Sequence, residues 1–200
     1  MATRRKRVPA RERRKQVLKS AVKVFARSNY RAAKVAEIAA EAGISEALLY
    51  KLFGSKRAIF LEILHQMSER IVASWQEEVD REEDALLALR NMGVTYYRRM
   101  KKHPEELRVQ FQAISEVADP RIAERLRGDH ESYVRFITTV IRKGMRQGSV
   151  RKDLDVDMLG FLFDGGGILM NMMKLLSFER KFNEKTVLRL MDHLVDSIRT

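Results

Sequence analysis

The chain has 200 residues, 45% of them hydrophobic and 33% charged, with no cysteine and a net charge of +12. That length and apolar share can bury a core of one large or two small domains and exclude a disordered chain; the missing cysteine excludes disulfides and thiol chemistry and fits a cytoplasmic protein. Residues 1–60 hold 16 Lys/Arg against 4 Asp/Glu, while residues 61–200 hold 23 of each, so the whole positive excess lies in the first third, as an electrostatic footprint for a polyanion would.

Almost every segment reads as helix, with three prolines and little β-branched alternation. A first helix is predicted from about Ala10 to Ser28, with Val17, Leu18, Ala21, Val22 and Phe25 as its apolar stripe. A second covers about Lys34 to Ala42 and ends at Gly43, a left-handed C-cap. Ser45 caps a third over Glu46 to Leu52, and Ser55 caps a fourth that runs to about Glu78 before a solvated DREED turn. The fifth spans about Ala85 to Lys102 and the sixth about Glu105 to Val117. Asp119-Pro120 opens a seventh that ends near Gln147 with Gly148 as its cap. The eighth runs from about Val156 to Leu176 and the ninth from about Glu184 to Ile198. The expectation is therefore an all-α fold of about nine helices.

Helices two and three, joined at Gly43, fit a helix-turn-helix. Ala39 is small where the helices would cross, and Ile44 and Leu49 plug the core. A short helix exposed at one end can set its first residues, here Ser45, Glu46 and Ala47, against base edges in a major groove. Tyr50 and Lys51 would bond phosphates at the groove's edge, and Lys56 would do so at the start of helix four. Each of these residues taken singly reads equally well as ordinary packing or surface; the charge asymmetry is what joins them into a DNA contact. Ahead of them, Arg4, Arg5, Lys6 and Arg7 form either an arm on DNA or a solvated tail.

The stretch AVKVFARSNYRAAKVAEIAAEAGISEALLYKLFGSKRAIFLEIL resembles the N-terminal DNA-binding domain of the TetR family of bacterial transcriptional regulators. The resemblance implies a DNA-binding domain over residues 1–54, a helical effector-binding and dimerisation domain over 55–200, and a repressor released from a palindromic operator by a small, mostly apolar ligand. Two departures stand out. Ala33 and Lys34 occupy the start of helix two, where the family usually has a capping hydroxyl; Lys34 can still reach the same phosphate by charge. Glu46 stands where the family often has a basic or small residue, so it either reads a cytosine amine or only complements the helix dipole.

Helix eight is apolar almost all round and helix nine over a wide arc, as in a four-helix homodimer interface. Gly165, Gly166, Ile168 and Met172 of helix eight, with Val187, Leu190, Met191, Leu194 and Ile198 of helix nine, are the expected contacts. The DGGG run at 164–167 calls for close packing, a kink or ligand space, since each helical glycine costs about 1 kcal/mol relative to alanine. The resemblance implies a cavity between helices four to eight, lined here by Tyr96, Met100, Phe111, Ile114, Tyr133, Phe136, Phe161 and Met170. The same stripe also reads as plain core. Asp164, Glu116 and Arg135 are the polar candidates beside it.

No enzyme, cofactor or metal site is expected. His65, His103, His130 and His193 have no metal-ligand spacing, and there is no P-loop, GxGxxG or GxSxG. No apolar stretch reaches across a bilayer, Asp164 and the glycines interrupting the longest one, and no h-region follows the basic N-terminus. Two rival readings stay open: an architectural DNA-binding protein without an effector, and a cationic amphipathic segment at a membrane surface.

Overall fold

A computed structural model describes residues 9–178 and 180–200. Among these residues the chain forms nine helices: α1 (Ala10–Ser28), α2 (Val35–Glu41), α3 (Glu46–Phe53), α4 (Lys56–Arg81), α5 (Ala85–Lys102), α6 (Pro104–Ser115), α7 (Pro120–Gln147), α8 (Val156–Leu175) and α9 (Glu184–Ile198). The only β-type pairing among them is an isolated antiparallel bridge between Val150 and Arg199, which pins the C-terminus to the α7–α8 turn.

Short polar side chains start most of the helices. Ser45, Ser55, Asp84, Asp119, Asp155 and Asn183 each accept a hydrogen bond from a backbone N–H of the first turn. Helix α2 differs: Lys34 gives it no side-chain cap, and Glu37 reaches back instead to accept from the Lys34 N–H at 3.2 Å. The predicted end of α4 at Glu78 falls short. Glu78 is buried, accepts from Thr95 Oγ1 at 2.7 Å and pairs with Arg81 at 3.0 Å, so the helix is held for another turn. Only Glu82 to Asp84 of the DREED run lie outside helix. Helix α6 stops earlier than predicted, at Ser115, and Glu116 turns away to Arg31.

The buried side chains form two clusters. The first joins Val17, Phe25, Ile38, Leu49, Ile59 and Phe60, and continues into Val109 and Ala113 of α6 and Ile122 of α7. The second gathers Trp75, Leu86, Leu89, Tyr133, Ile137, Ile141, Val187 and Val195. Helix α4 runs through both, with Met67 in the first and Ile71 in the second. Helix α6 does the same through Leu107 and Val109.

Helices α7 and α8 approach closely at Gly160. A Cβ there would lie 2.6 Å from Thr138 Cγ2 and 2.9 Å from Val134 Cγ1. Both neighbours are β-branched and stiff, so they cannot move aside cheaply. Gly160→Ala is expected to destabilise the protein by about 1–3 kcal/mol, read as a lowered midpoint in urea with an unchanged slope.

Candidate nucleic-acid interface and effector cavity

The turn between α2 and α3 is set by Gly43, whose φ of +64° lies in the left-handed region. Ile44 N–H then bonds back to Ala39 O at 3.0 Å, closing the corner. Leu49 and Phe53 face the core, which fixes the rotation of α3 about its axis. Ser45, Glu46, Ala47, Leu48, Tyr50 and Lys51 consequently lie on the exposed side. Tyr50 is 47% exposed, and its ring is not a packing residue. Leu48, absent from the sequence-based expectation, shares this face and offers an apolar contact for a thymine methyl. Glu46 has no side-chain partner among the described residues, and Lys34 is exposed at the start of α2.

Lys56 is placed differently from the expectation of a free phosphate ligand. Its Nζ donates to Arg31 O at 3.1 Å and Ala33 O at 2.9 Å, and lies 4.9 Å from the Tyr30 ring centroid. These carbonyls precede α2 and have no helical partner, so the ammonium satisfies them and staples the α1–α2 loop to α4. One N–H remains for a phosphate. Arg14, inside the basic N-terminal run, also turns inward: it bonds Leu52 O and Glu62 and stacks 4.2 Å from the Phe53 ring centroid. Arg4, Arg5, Lys6 and Arg7 lie outside the described residues.

The reading head is tied to the body by polar contacts. Gln112 donates to Phe25 O at 2.9 Å and Arg31 pairs with Glu116 at 2.9 Å, while Arg57 at the start of α4 pairs with Asp119 ahead of α7 at 3.1 Å. Glu116 therefore belongs to this junction and not to a cavity.

A cavity lies within the body, bounded by Ile71, Trp75, Met92, Tyr96, Gln110, His130, Tyr133, Phe163, Asp164, Gly167, Met170 and Asn171 among others. Its empty space, counting the part open to solvent, is about 570 Å³. Of the expected lining residues, Tyr96, Tyr133 and Met170 are there. Met100 borders a smaller adjoining space between α5 and α6. Phe111 and Phe136 pack against the body core, and Ile114 is 52% exposed on α6. Phe161, 67% exposed, points out of α8. These four leave the lining because helical periodicity marks apolar positions without fixing which face turns inward. Gly167 lines the cavity with Tyr96 beside it, whereas Gly165 faces open space. The three glycines thus serve different surroundings.

Two polar pairs stand in the cavity wall, Tyr96 with Asn171 and His130 with Asp164. Tyr96 Oη is 3.0 Å from Asn171 Oδ1 and 2.7 Å from its Nδ2. Burial pushes the Tyr96 phenol up to about 12 and raises Tyr133 as well, so both stay neutral hydrogen-bonding groups at ordinary pH. Trp75 Nε1 is buried without a partner and is the one such indole in the chain. His130 Nδ1 lies 2.8 Å from Asp164 Oδ2, and that hydrogen bond raises the imidazole above its ordinary 6.5 against the opposing effect of burial. A raised histidine stabilises the fold fully below about 6.5, and the increment is lost as pH climbs through its folded value. Melting temperatures of the wild type and Asp164→Asn should therefore differ most below pH 6.5, and the gap should narrow as pH rises.

The expected dimer residues divide sharply. Val187, Met191 and Ile198 are buried in the chain's own core against α5, so they are unavailable to a partner. Ile168 and Met172 are exposed, Leu190 and Leu194 half-buried, and Leu194 Cδ1 comes within 3.9 Å of where a Cβ on Gly166 would lie. Helix α9 appeared too apolar for one face because α5 takes its inner half. No helix is long and apolar enough to cross a membrane, and no cluster of three or more metal-ligating side chains exists, among the described residues.

Residues 17–63 match the model of the family described as bacterial regulatory proteins, tetR family. The chain is 28% identical to the HTH-type transcriptional repressor KstR2 of Mycobacterium tuberculosis over 151 residues, 74% of either chain. It is 29% identical to the HTH-type transcriptional activator FasR of Mycolicibacterium smegmatis over 121 residues, 60% of this chain and 55% of that one. A transcriptional regulator from Saccharomonospora viridis, solved in complex with choline, superposes with a TM-score of 0.79 at 25% identity, covering 95% of this chain and 99% of the other.

Proposed function

The chain belongs to the TetR family of bacterial transcriptional regulators, and on that premise we propose that it is a homodimeric repressor released from a palindromic operator by a small, mostly apolar effector. The observation that carries the reading is the exposed face of α3. Ser45, Glu46, Ala47, Tyr50 and Lys51 stand outward over a core sealed by Leu49 and Phe53, in a chain whose positive excess is confined to residues 1–60. Residues 1–54 form the reading head in this proposal and residues 55–200 the sensing and dimerising body, at work in the cytoplasm. The relatives' names include both a repressor and an activator; repression is the simpler action, since it needs only that the bound dimer occlude its operator.

The route from cavity to head runs through α4 and α6. Ile71, Trp75 and Gln110 border the cavity, and the same two helices enter the N-terminal core through Met67, Val109 and Ala113. An effector that spreads the cavity would displace both helices, and the Gln112–Phe25 and Glu116–Arg31 contacts would carry the displacement to α1 and the loop ahead of α2. The differential fit of head spacing to operator would then supply the coupling free energy.

Selection of bound fragments from genomic DNA, followed by competition at physiological salt, tests the reading. Recovery of one palindromic class, held at least a thousandfold more tightly than random duplex, is the expected result. Sequence-indifferent binding would replace the regulator with an architectural protein. Glu46→Ala is expected to tighten binding to random duplex severalfold and to relax preference at one operator position, because its unpaired carboxylate faces the groove. If neither changes, Glu46 serves only the helix dipole.

A further inference from the structure

We propose that the effector is an amphipathic anion, its apolar part lodged in the inner cavity and its acidic head held by Arg127 and Arg135 in the groove between α7 and α8, with His130 at the junction. This rests on the effector-gated reading above and deepens it.

The starting observation is that His130 borders two spaces at once. One is the enclosed cavity beside Trp75 and Tyr133. The other is an open groove along α7 and the start of α8. Only the His130 side chain and its partner Asp164 bring formal charge into the inner lining, and they neutralise one another across 2.8 Å. A charged head lodged inside would therefore lose its hydration without a counter-charge, which is prohibitive. An apolar chain meets no such cost there, and Met92, Met170 and Met191 give the wall side chains that can yield.

The groove has the opposite character. It is bordered by Arg127, Glu131, Arg135, Arg142 and Asp157, with Phe161 supplying an apolar edge. Arg142 is taken by Asp157 at 3.2 Å. Arg127 and Arg135 have no partner among the described residues. They stand eight residues apart on one face of α7, about 12 Å along the axis, with His130 between them. Glu131 lies in the same interval and opposes an anionic guest with one charge, against the two with which Arg127 and Arg135 favour it. Two planar, permanently charged forks suit carboxylate or phosphate oxygens. An apolar site whose bordering histidine also lines a groove with two unpaired arginines matches a ligand with one apolar and one anionic end.

The experiment uses the full chain and the emission of Trp75, its single tryptophan, which borders the cavity. Decanol, decanoate, decanoyl-coenzyme A and decyltrimethylammonium are titrated below their micelle concentrations into wild type and the Arg127→Ala/Arg135→Ala variant. The expected result is that an anionic amphiphile shifts Trp75 emission at a concentration at least tenfold below decanol. The variant loses that advantage and binds decanol as before. Whether decanoate or decanoyl-coenzyme A gains more separates a carboxylate head from a phosphate head. Decanol or the ammonium matching both anions, or an unchanged advantage in the variant, would overturn the anionic class while leaving an effector in place. Silence of Trp75 toward all four, with operator binding unaltered by any of them, would remove the inference and the effector-gated reading together.

Discussion

Replacing Tyr50 by Phe and Lys51 by Ala together is expected to weaken operator binding by about three orders of magnitude while leaving the melting temperature nearly unchanged. Both side chains are exposed on α3 and neither has a side-chain partner among the described residues, so their loss falls within the usual ±0.5 kcal/mol of a surface substitution. Each is positioned to bond one phosphate oxygen, and a dimer presents each twice. Hydrogen bonds to a charged group are worth about 1.5–3 kcal/mol apiece, and even about 1 kcal/mol for each of the four contacts multiplies to the thousandfold loss. Salt separates the two residues. Lys51→Ala alone removes two counterion-releasing contacts per dimer, so the slope of log K against log salt should flatten by about 1.8, whereas Tyr50→Phe leaves the slope unchanged. Competition binding from low to physiological salt reads both. Equal slopes in wild type and Lys51→Ala would mean that Lys51 points away from the backbone.

Local chemistry made much of the fold legible from sequence. Ser45, Ser55 and Asp119 announce helix starts by side-chain oxygens that accept backbone N–H groups, and Gly43 and Gly148 announce stops by positive φ. What the sequence concealed depends on partners distant along the chain. Helix α4 outlasts its predicted end because Thr95, on another helix, holds Glu78. Lys56 gives two of its N–H groups to loop carbonyls that only the folded corner brings near. The glycines required by close approach are Gly93, Gly144 and Gly160, each with a neighbouring side-chain atom within 2.6 Å of where a Cβ would lie; none stands out in sequence as the DGGG run does. At the candidate site, the lining expected from the resemblance includes Tyr96, Tyr133 and Met170, but nothing in the sequence signals that His130 meets Asp164 across two helices. Apolar periodicity also cannot say which half of an all-round apolar helix its own chain covers. Helix α9 gives Val187 and Met191 to its own core, whereas α8 keeps a full stripe outside.

That outer stripe of α8 sets the remaining prediction. Among the described residues, eight of the thirteen large hydrophobic side chains that are exposed fall between Met158 and Phe178. Met158, Leu162, Leu169, Met172 and Leu176 recur at three- and four-residue steps with Gly165 in the middle, which is the seam of a helix awaiting a partner helix. Nothing within 4 Å would meet a Cβ at Gly165, so a second backbone can approach there. Leu190 and Leu194 of α9 flank the stripe half-buried, and a second copy of the same surface would cover all of it by two-fold symmetry. Leaving such side chains in water forgoes about 1.5–3 kcal/mol for each one fully buried, enough over five residues for a tight dimer after the cost of association. Leu162→Glu with Leu169→Glu would set four carboxylates into that seam per dimer. The variant is expected to sediment as a folded monomer with wild-type helicity, because neither residue belongs to the protomer's own core. Its operator affinity should fall by about a hundred- to ten-thousandfold, since the second head then binds as a separate molecule and loses a millimolar effective concentration. Affinity for a single half-site should stay at the wild-type value. A variant that still sediments as a dimer would place the interface on another face, and the half-site spacing of the operator would have to be derived from that face instead.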